Sequence, residues 1–177
     1  MPSQKEWDKF YINSAIEVSN FSKARRLQVG AILVKDNRPL VNGFNGTAPK
    51  RPNNCEDEEV NLVDRHEPYW HKCDVLGVNG EIYKYLNYEK DYRRLVTKLE
   101  VLHAEENILV HCAKNGIPTN DSTIYISHNP CLHCVALLYS AGIKRIVYNE
   151  DYRDSGSIAY CNEVGIQIEK YKENNNE

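Results

Sequence analysis

From residue 101 onward the chain alternates helical and strand periods without a break, and this alternation restricts the fold more than any other feature. Residues 101–116 (VLHAEENILVHCAKNG) carry apolar side chains at helical spacing and close on Asn115-Gly116, a helix stop. Residues 122–128 (STIYISH) predict a strand, 130–142 (PCLHCVALLYSAG) a helix ending at Gly142, and 143–150 (IKRIVYNE) a strand. Residues 155–165 then predict a short helix and 166–172 a last strand. Upstream, 28–37 and 38–47 read as the arms of a hairpin joined by a Lys-Asp-Asn turn. Residues 5–20 read as an amphipathic helix, with Trp7, Phe10, Tyr11, Ser14/Ala15 and Val18 on one face. Helices alternating with strands after an opening hairpin predict an α/β fold: a three-layer α/β/α domain with a central mixed sheet of about five strands.

The stretch 51–98 differs in kind, being rich in Pro, Asn, charge and tyrosine with weak periodicity. It reads as a long insertion with some helix near residues 89–100. The expectation is one domain over 1–172 that carries this insertion, followed by a polar, disordered tail at 173–177. The N-terminus lacks the basic-then-apolar pattern of a secretion signal, and no apolar run has membrane-spanning length. A cytoplasmic protein with no membrane partner is therefore expected. Its six cysteines then read as reduced thiols rather than three disulfides. Net charge is -3 and the basic residues are scattered. A protein that grips long nucleic acid needs a basic stripe, so a small substrate fits better.

Two short stretches carry the chemistry. In PCLHC, Cys131 and Cys134 are spaced to share one face of a helix, and the preceding proline suits a helix N-terminus. The positive end of the helix dipole favours the thiolate form that binds metal. Taken alone, the pair is explained by a redox couple or by two packed core cysteines about as often as by a metal. In HAE, His103 and Glu105 open another helix, and at a first turn both can converge on a point beyond the helix end. His103, Cys131 and Cys134 make three zinc ligands and leave the fourth tetrahedral position for water. Glu105, beside that water but off the metal, can move its proton. The combined pattern H-x-E…P-C-x-x-C is the signature of zinc-dependent nucleobase deaminases.

The chain also resembles the deoxycytidylate deaminase family more widely. HAEENIL is similar to that family's H-A-E-x-N-A-I, TIYISHNPCLHC…AGIKRIVY to its T-x-Y-V-T-x-x-P-C-x-x-C…AGI-K-x-V-V-Y, and VGAILV…GFNGTAP to its V-G-A-x-I-V…G-Y-N-G-x-P. The likeness runs through 5–50 and 100–170 and weakens across 51–99. It implies a cytidine deaminase-like fold and hydrolysis of dCMP to dUMP and ammonia, with Glu105 moving protons to cytosine N3 and to the leaving amine. It implies that Asn45 meets the deoxyribose hydroxyl, that the Ala104 carbonyl meets the base edge, that Asn107 orders the same loop, and that Tyr152 lies near the nucleotide. Without it, Asn45 reads as a turn asparagine and Tyr152 as core packing. Arg25 and Arg26 stand where the family faces substrate or phosphate, and a solvated arginine pair is the alternative. The resemblance further implies a homo-oligomer, a hexamer, activated by dCTP with Mg2+ and inhibited by dTTP near Gly43 and Gly46. The segment GTAPKRPNNCEDEE lacks the glycine that usually follows G-x-P.

Some relatives bind a second zinc near the insertion. Here Ala24 and Val101 replace a cysteine and a glutamate, and C-x10-H-x4-H-x-C (Cys55, His66, His71, Cys73) matches no structural zinc spacing. His128 and His133 flank the cysteines without matching the ligand pattern, and His111, Cys112 and Cys161 read as ordinary helix residues. The competing readings are a deaminase of another small molecule (cytidine, dCTP, a pterin- or riboflavin-like base) and a structural zinc module for protein interaction. The latter needs a fourth protein ligand and leaves Glu105 without a task.

Overall fold

The computed structural model describes residues 2–61, 92–152 and 156–172. The elements run α1 (Gln4–Ser19), β1 (Gly30–Lys35), β2 (Arg38–Phe44), β3 (Glu56–Asn61), β4 (Tyr92–Thr97), α2 (Ala104–Asn115), β5 (Thr123–His128), α3 (Leu132–Ser140), β6 (Arg145–Glu150), α4 (Gly156–Val164) and β7 (Gln167–Lys170). Two compact units result: Met1–Glu56 with Thr97–Glu177, and Asp57–Val96. In the larger unit a five-stranded sheet has the order β2-β1-β5-β6-β7. The β1–β2 and β1–β5 pairs are antiparallel, and β5–β6 and β6–β7 are parallel, so the sheet is mixed as expected.

The strand period of two divides the core. Ala31, Leu33, Ile124, Ile126 and Ile146 point to one side, where Ala104, Ile108 and Cys112 of α2, Val135 and Leu138 of α3, and Cys161 of α4 bury against them. Ile32, Val34, Tyr125 and Val147 point to the other side and meet Tyr11, Ile12 and Ala15 of α1. Three helices on one face and one on the other give the three layers.

Local chemistry sets the element ends. Ser3 and Glu6 form a reciprocal capping box at the start of α1. The β1–β2 hairpin turns on Asp36 and Asn37, with φ of 52° and 55°. That left-handed pair matches the strand twist, and Asp and Asn tolerate it. Gly116 ends α2 at φ 65°.

Three expectations need correction. Phe10 is exposed, and Ile12 takes its place on the buried face of α1, because the helix rests on the sheet through a stripe centred on Tyr11 and Ala15. Residues 92–97 form strand β4 rather than helix; β4 and β3 make a two-stranded sheet of their own. The run Tyr-Arg-Arg-Leu-Val-Thr has the aromatic and β-branched content of a strand, which outweighs its helix-like charge spacing. Pro130 does not open α3: it precedes the N-cap Cys131 and is fully buried. The tail 173–177 and residues His66, His71 and Cys73 lie outside the described residues. Among the described residues no helix is long and apolar enough to cross a membrane.

Candidate metal centre

Two helix N-termini converge at the carboxyl end of β5. His103 is the N-cap of α2, and its backbone N–H donates to Glu106 Oε2 at 2.7 Å. Cys131 is the N-cap of α3, with Cys134 three residues on in the first turn. Asn129 secures the approach from β5, its N–H donating to the Glu150 carbonyl at 2.8 Å and its Nδ2 to Ser157 Oγ at 3.0 Å. Glu106 also meets His133 Nε2 at 3.3 Å, linking the starts of the two helices.

This arrangement brings His103, Cys131 and Cys134 into one cluster whose ligand atoms all lie within 4.8 Å of one another. His103 Nδ1 is 3.7 Å from Cys131 Sγ and 3.3 Å from Cys134 Sγ. Zn–S of about 2.3 Å and Zn–N of about 2.0 Å, at a tetrahedral angle, require a sulfur–nitrogen separation of roughly 3.5 Å. Two thiols and an imidazole are also the soft donor set zinc selects. The residues fit a zinc ion. Among the described residues no further His, Cys, Asp or Glu joins this group, as a site with a position for water requires.

The protonation states of the donors suit metal binding. The neighbouring Cys134 thiol, donating to Cys131, brings the Cys131 thiol down to about 4. The hydrogen bond with Cys131 holds the His103 imidazole up at about 9. The same partner and burial push the Cys134 thiol up. Zinc must displace the protons that remain on His103 and Cys134, so its uptake releases acid.

Glu105 is 3% exposed, and burial raises its carboxyl to about 7. A carboxyl poised there exchanges protons near neutral pH, the property a general acid–base needs.

The cluster opens onto a cleft of about 400 Å³ lined by His103, Ala104, Glu105 and Cys131, and by Asn45, Arg26 and Tyr152. The volume is that of a small-molecule site. Asn45 stands in the bend after β2, not in the hairpin turn: its Oδ1 accepts from Val29 N–H at 2.8 Å and its Nδ2 donates to the Leu27 carbonyl at 2.9 Å. Tyr152 is 41% exposed at the rim, not packed in the core. Arg26 lines the cleft, with Nη1 donating to Thr97 Oγ1 at 3.0 Å, whereas Arg25 stands outside the lining. Asn107 also stands outside it and instead donates to the Phe44 carbonyl at 3.0 Å, tying α2 to the end of β2.

Gly43 and Gly46 do not line the cleft either. A Cβ on Gly43 would lie 2.8 Å from the Ala104 carbonyl oxygen and 2.8 Å from Ile108 Cγ1, so this glycine lets α2 close onto β2. Gly46 pairs through its backbone with Leu102, just before His103.

His128, expected behind the cysteines or in solvent, is half-buried in the lining, and burial holds it below its ordinary imidazole value; sequence reasoning missed Asn129 and Glu56 there. No periodicity marks them; Glu56 sits in the charged run CEDEE of the supposed insertion. At the place where a second zinc was weighed, Ala24, Cys55 and Val101 form a small buried apolar cluster. Burial pushes the Cys55 thiol up, and these three residues do not fit an ion.

The profile described as the cytidine and deoxycytidylate deaminase zinc-binding region matches residues 5–150. ComE operon protein 2 of Bacillus subtilis is 29% identical over 147 residues, which are 83% of this chain and 61% of that protein. The deoxycytidylate deaminase of Schizosaccharomyces pombe is 28% identical over 166 residues, 93% of this chain and 44% of that enzyme. The chain thus spans less than two-thirds of either relative. The deoxycytidylate deaminase of a Mycobacterium phage is 29% identical over 149 residues, 84% of this chain and 98% of that enzyme. Among solved structures, dCMP deaminase from the cyanophage S-TIM5, in complex with dCMP and dUMP, matches with a TM-score of 0.71 and 28% identity, covering 96% of this chain and 99% of that one.

Proposed function

The chain belongs to the cytidine and deoxycytidylate deaminase zinc-binding family, and from that premise we propose that it hydrolyses dCMP to dUMP and ammonia. One observation carries the reading: a His-Cys-Cys donor set assembled from two helix N-termini beside a buried carboxyl that is not part of it. His103 Nδ1 and the Sγ atoms of Cys131 and Cys134 would hold the zinc, which when bound would supply Lewis-acid activation of water near neutral pH. Glu105 takes a proton from water and delivers it to cytosine N3, which makes C4 electrophilic. Water's oxygen adds at C4, Glu105 takes the remaining proton of that hydroxyl and hands it to the exocyclic nitrogen, and ammonia leaves as the C4–N bond breaks and the C4 carbonyl forms. The Ala104 carbonyl orients the base edge, Asn45 meets the sugar and Tyr152 covers the nucleotide. Arg26 reaches the phosphate, since a guanidinium suits that anion. Asn107 acts through the Phe44 carbonyl, holding α2 in place. Arg25 contributes its backbone to the wall that carries Arg26.

The same reading extends to a cytoplasmic homo-oligomer, a hexamer, activated by dCTP with Mg2+ and inhibited by dTTP around the Gly43–Gly46 segment; the family resemblance supports this part. An ultraviolet assay across cytosine, cytidine, CMP, dCMP and dCTP, run with and without dCTP or dTTP, tests it. The expected result is highest kcat/KM for dCMP. Strong preference for another cytosine compound would reassign the substrate, and zinc binding without turnover on any base would favour a structural zinc module.

A further inference from the structure

The chain between α1 and β1 forms no regular element, and Arg25 and Arg26 lie in a bend within it. No helix or ladder partner serves their backbone N–H groups, so the path of the bend depends on what accepts from them. Glu56 does so: its Oε1 accepts from Arg25 N–H at 3.0 Å and from Arg26 N–H at 3.2 Å. A carboxylate makes stronger bonds of this kind than a neutral acceptor, and Glu56 is 2% exposed, so water competes little for them.

The other end of Arg26 is held as well. Its Nη1 donates to Thr97 Oγ1 at 3.0 Å. Glu56 opens β3, Thr97 closes β4, and both belong to the larger unit. The Lys98 N–H donates to the Cys55 carbonyl at 3.0 Å, which joins the two segments that grip Arg26. Arg26 is itself exposed and lines the cleft together with Glu56 and Thr97. An exposed arginine ordinarily samples many rotamers, and ordering it on a ligand costs entropy. One fastened at both backbone and guanidinium has lost that freedom before the ligand arrives, which favours binding. We infer that Glu56 and Thr97 are positioning residues for Arg26: Glu56 sets its backbone, Thr97 sets its guanidinium, and together they fix the preference for a 5′-phosphorylated substrate over the free nucleoside. This inference rests on the deamination reading above, in which Arg26 meets the phosphate.

The test compares kcat and KM for dCMP and for deoxycytidine, at matched zinc content, in wild type, R26A, E56A, T97V and the double variant E56A/R26A. Wild type is expected to favour dCMP, and R26A to lower the dCMP-to-deoxycytidine ratio of kcat/KM roughly tenfold to a hundredfold, the range for a bond between charged groups. E56A and T97V are each expected to lower the same ratio about threefold to tenfold, through KM for dCMP and not through kcat. In the R26A background E56A should lower it no further, since the two act through one contact. E56Q and T97S keep an acceptor oxygen and should retain most of the preference; T97V and T97S carry the test if E56A fails to fold. Equal losses on both substrates, or a further fall of the ratio in the double variant, overturn the inference, because Glu56 would then serve the fold or act apart from Arg26. A fall in R26A that neither E56A nor T97V shares overturns it while leaving Arg26 on the phosphate. A ratio that R26A leaves unchanged removes Arg26 from the phosphate and the inference with it, and deamination still stands. A zinc-loaded wild type that turns over neither substrate overturns the deamination reading too.

Discussion

Glu105 combines two roles that conflict at the level of one residue: the burial that suits it to move protons also makes it a liability to the fold. Its carboxyl is raised to about 7 from an ordinary value of 4.5. Below the ordinary value both folded and unfolded chains hold the proton and the group is neutral to stability. Between 4.5 and about 7 the unfolded chain ionises while the folded one does not, so stability falls as pH rises, by roughly 3 kcal/mol in all. In zinc-stripped protein, Glu105→Gln is therefore expected to raise the unfolding midpoint at pH 8 and to leave it nearly unchanged at pH 4, as read by thermal melts. In zinc-loaded protein the same substitution should lower turnover about 10²- to 10⁴-fold with zinc content unchanged. Cys134→Ser should instead lose the metal, as measured by elemental analysis. These residues were legible in the sequence because each stands at a helix N-terminus and the ligand spacing depends on the first turn alone. Glu56 was not, since its place in the cleft follows from the path of residues 24–29, to which it is bonded, and not from its own neighbours in sequence.

At the scale of elements, the site depends on how closely α2 lies on β2, and Gly43 controls that distance. A methyl group there would press on the Ala104 carbonyl and on Ile108, both in the helix that begins beside His103. Gly43→Ala is expected to cost about 1–3 kcal/mol, the range for overpacking a tight contact, and to lower kcat by displacing Glu105. Gly46→Ala meets only the end of the Asn53 side chain at 3.2 Å, which can move, and should cost under about 1 kcal/mol. Chemical denaturation of the two variants distinguishes these contacts. The five strands of the main sheet were legible because their apolar runs are short, β-branched and punctuated by turn residues, as at Asp36-Asn37 and Gly142. Strand β4 was not: Tyr92–Thr97 carries arginines at positions that also fit a helix face, and only its pairing with β3 decides the matter. The face of α1 was misjudged for a similar reason. Its aromatic residues cluster, with Trp7 and Phe10 both packing on Tyr11, but only the stripe that meets the sheet is buried.

At the scale of the whole sheet, α1 is held at the end of the strands remote from His128 by a network that no sequence pattern announces. Arg145 on β6 grips Asp8 of α1 with two hydrogen bonds, Nη1 to Oδ1 at 2.8 Å and Nη2 to Oδ2 at 2.7 Å. The Tyr125 hydroxyl of β5 donates to the same Asp8 Oδ1 at 2.7 Å, and Glu169 of β7 pairs with Arg145 from the other side. The side chains of Asp8 and Arg145 are only 13% and 15% exposed, so solvent screens the pair little. Burial pushes the Asp8 carboxyl up, but the bonds from Arg145, Tyr125 and Gln4 outweigh it and hold the group below its usual carboxylate value. The stability this supplies is complete above the unfolded value of 3.8 and is lost as pH falls through the lower folded value. Asp8→Asn removes that titration and leaves Arg145 with Glu169 alone as its anion. It is expected to cost about 1–3 kcal/mol at pH 7, and the gap between variant and wild type should narrow as the pH drops toward 2. Urea unfolding at pH 7 and pH 2.5 measures both quantities. A gap that stays constant between those values would mean that Asp8 holds α1 through packing and not through its charge.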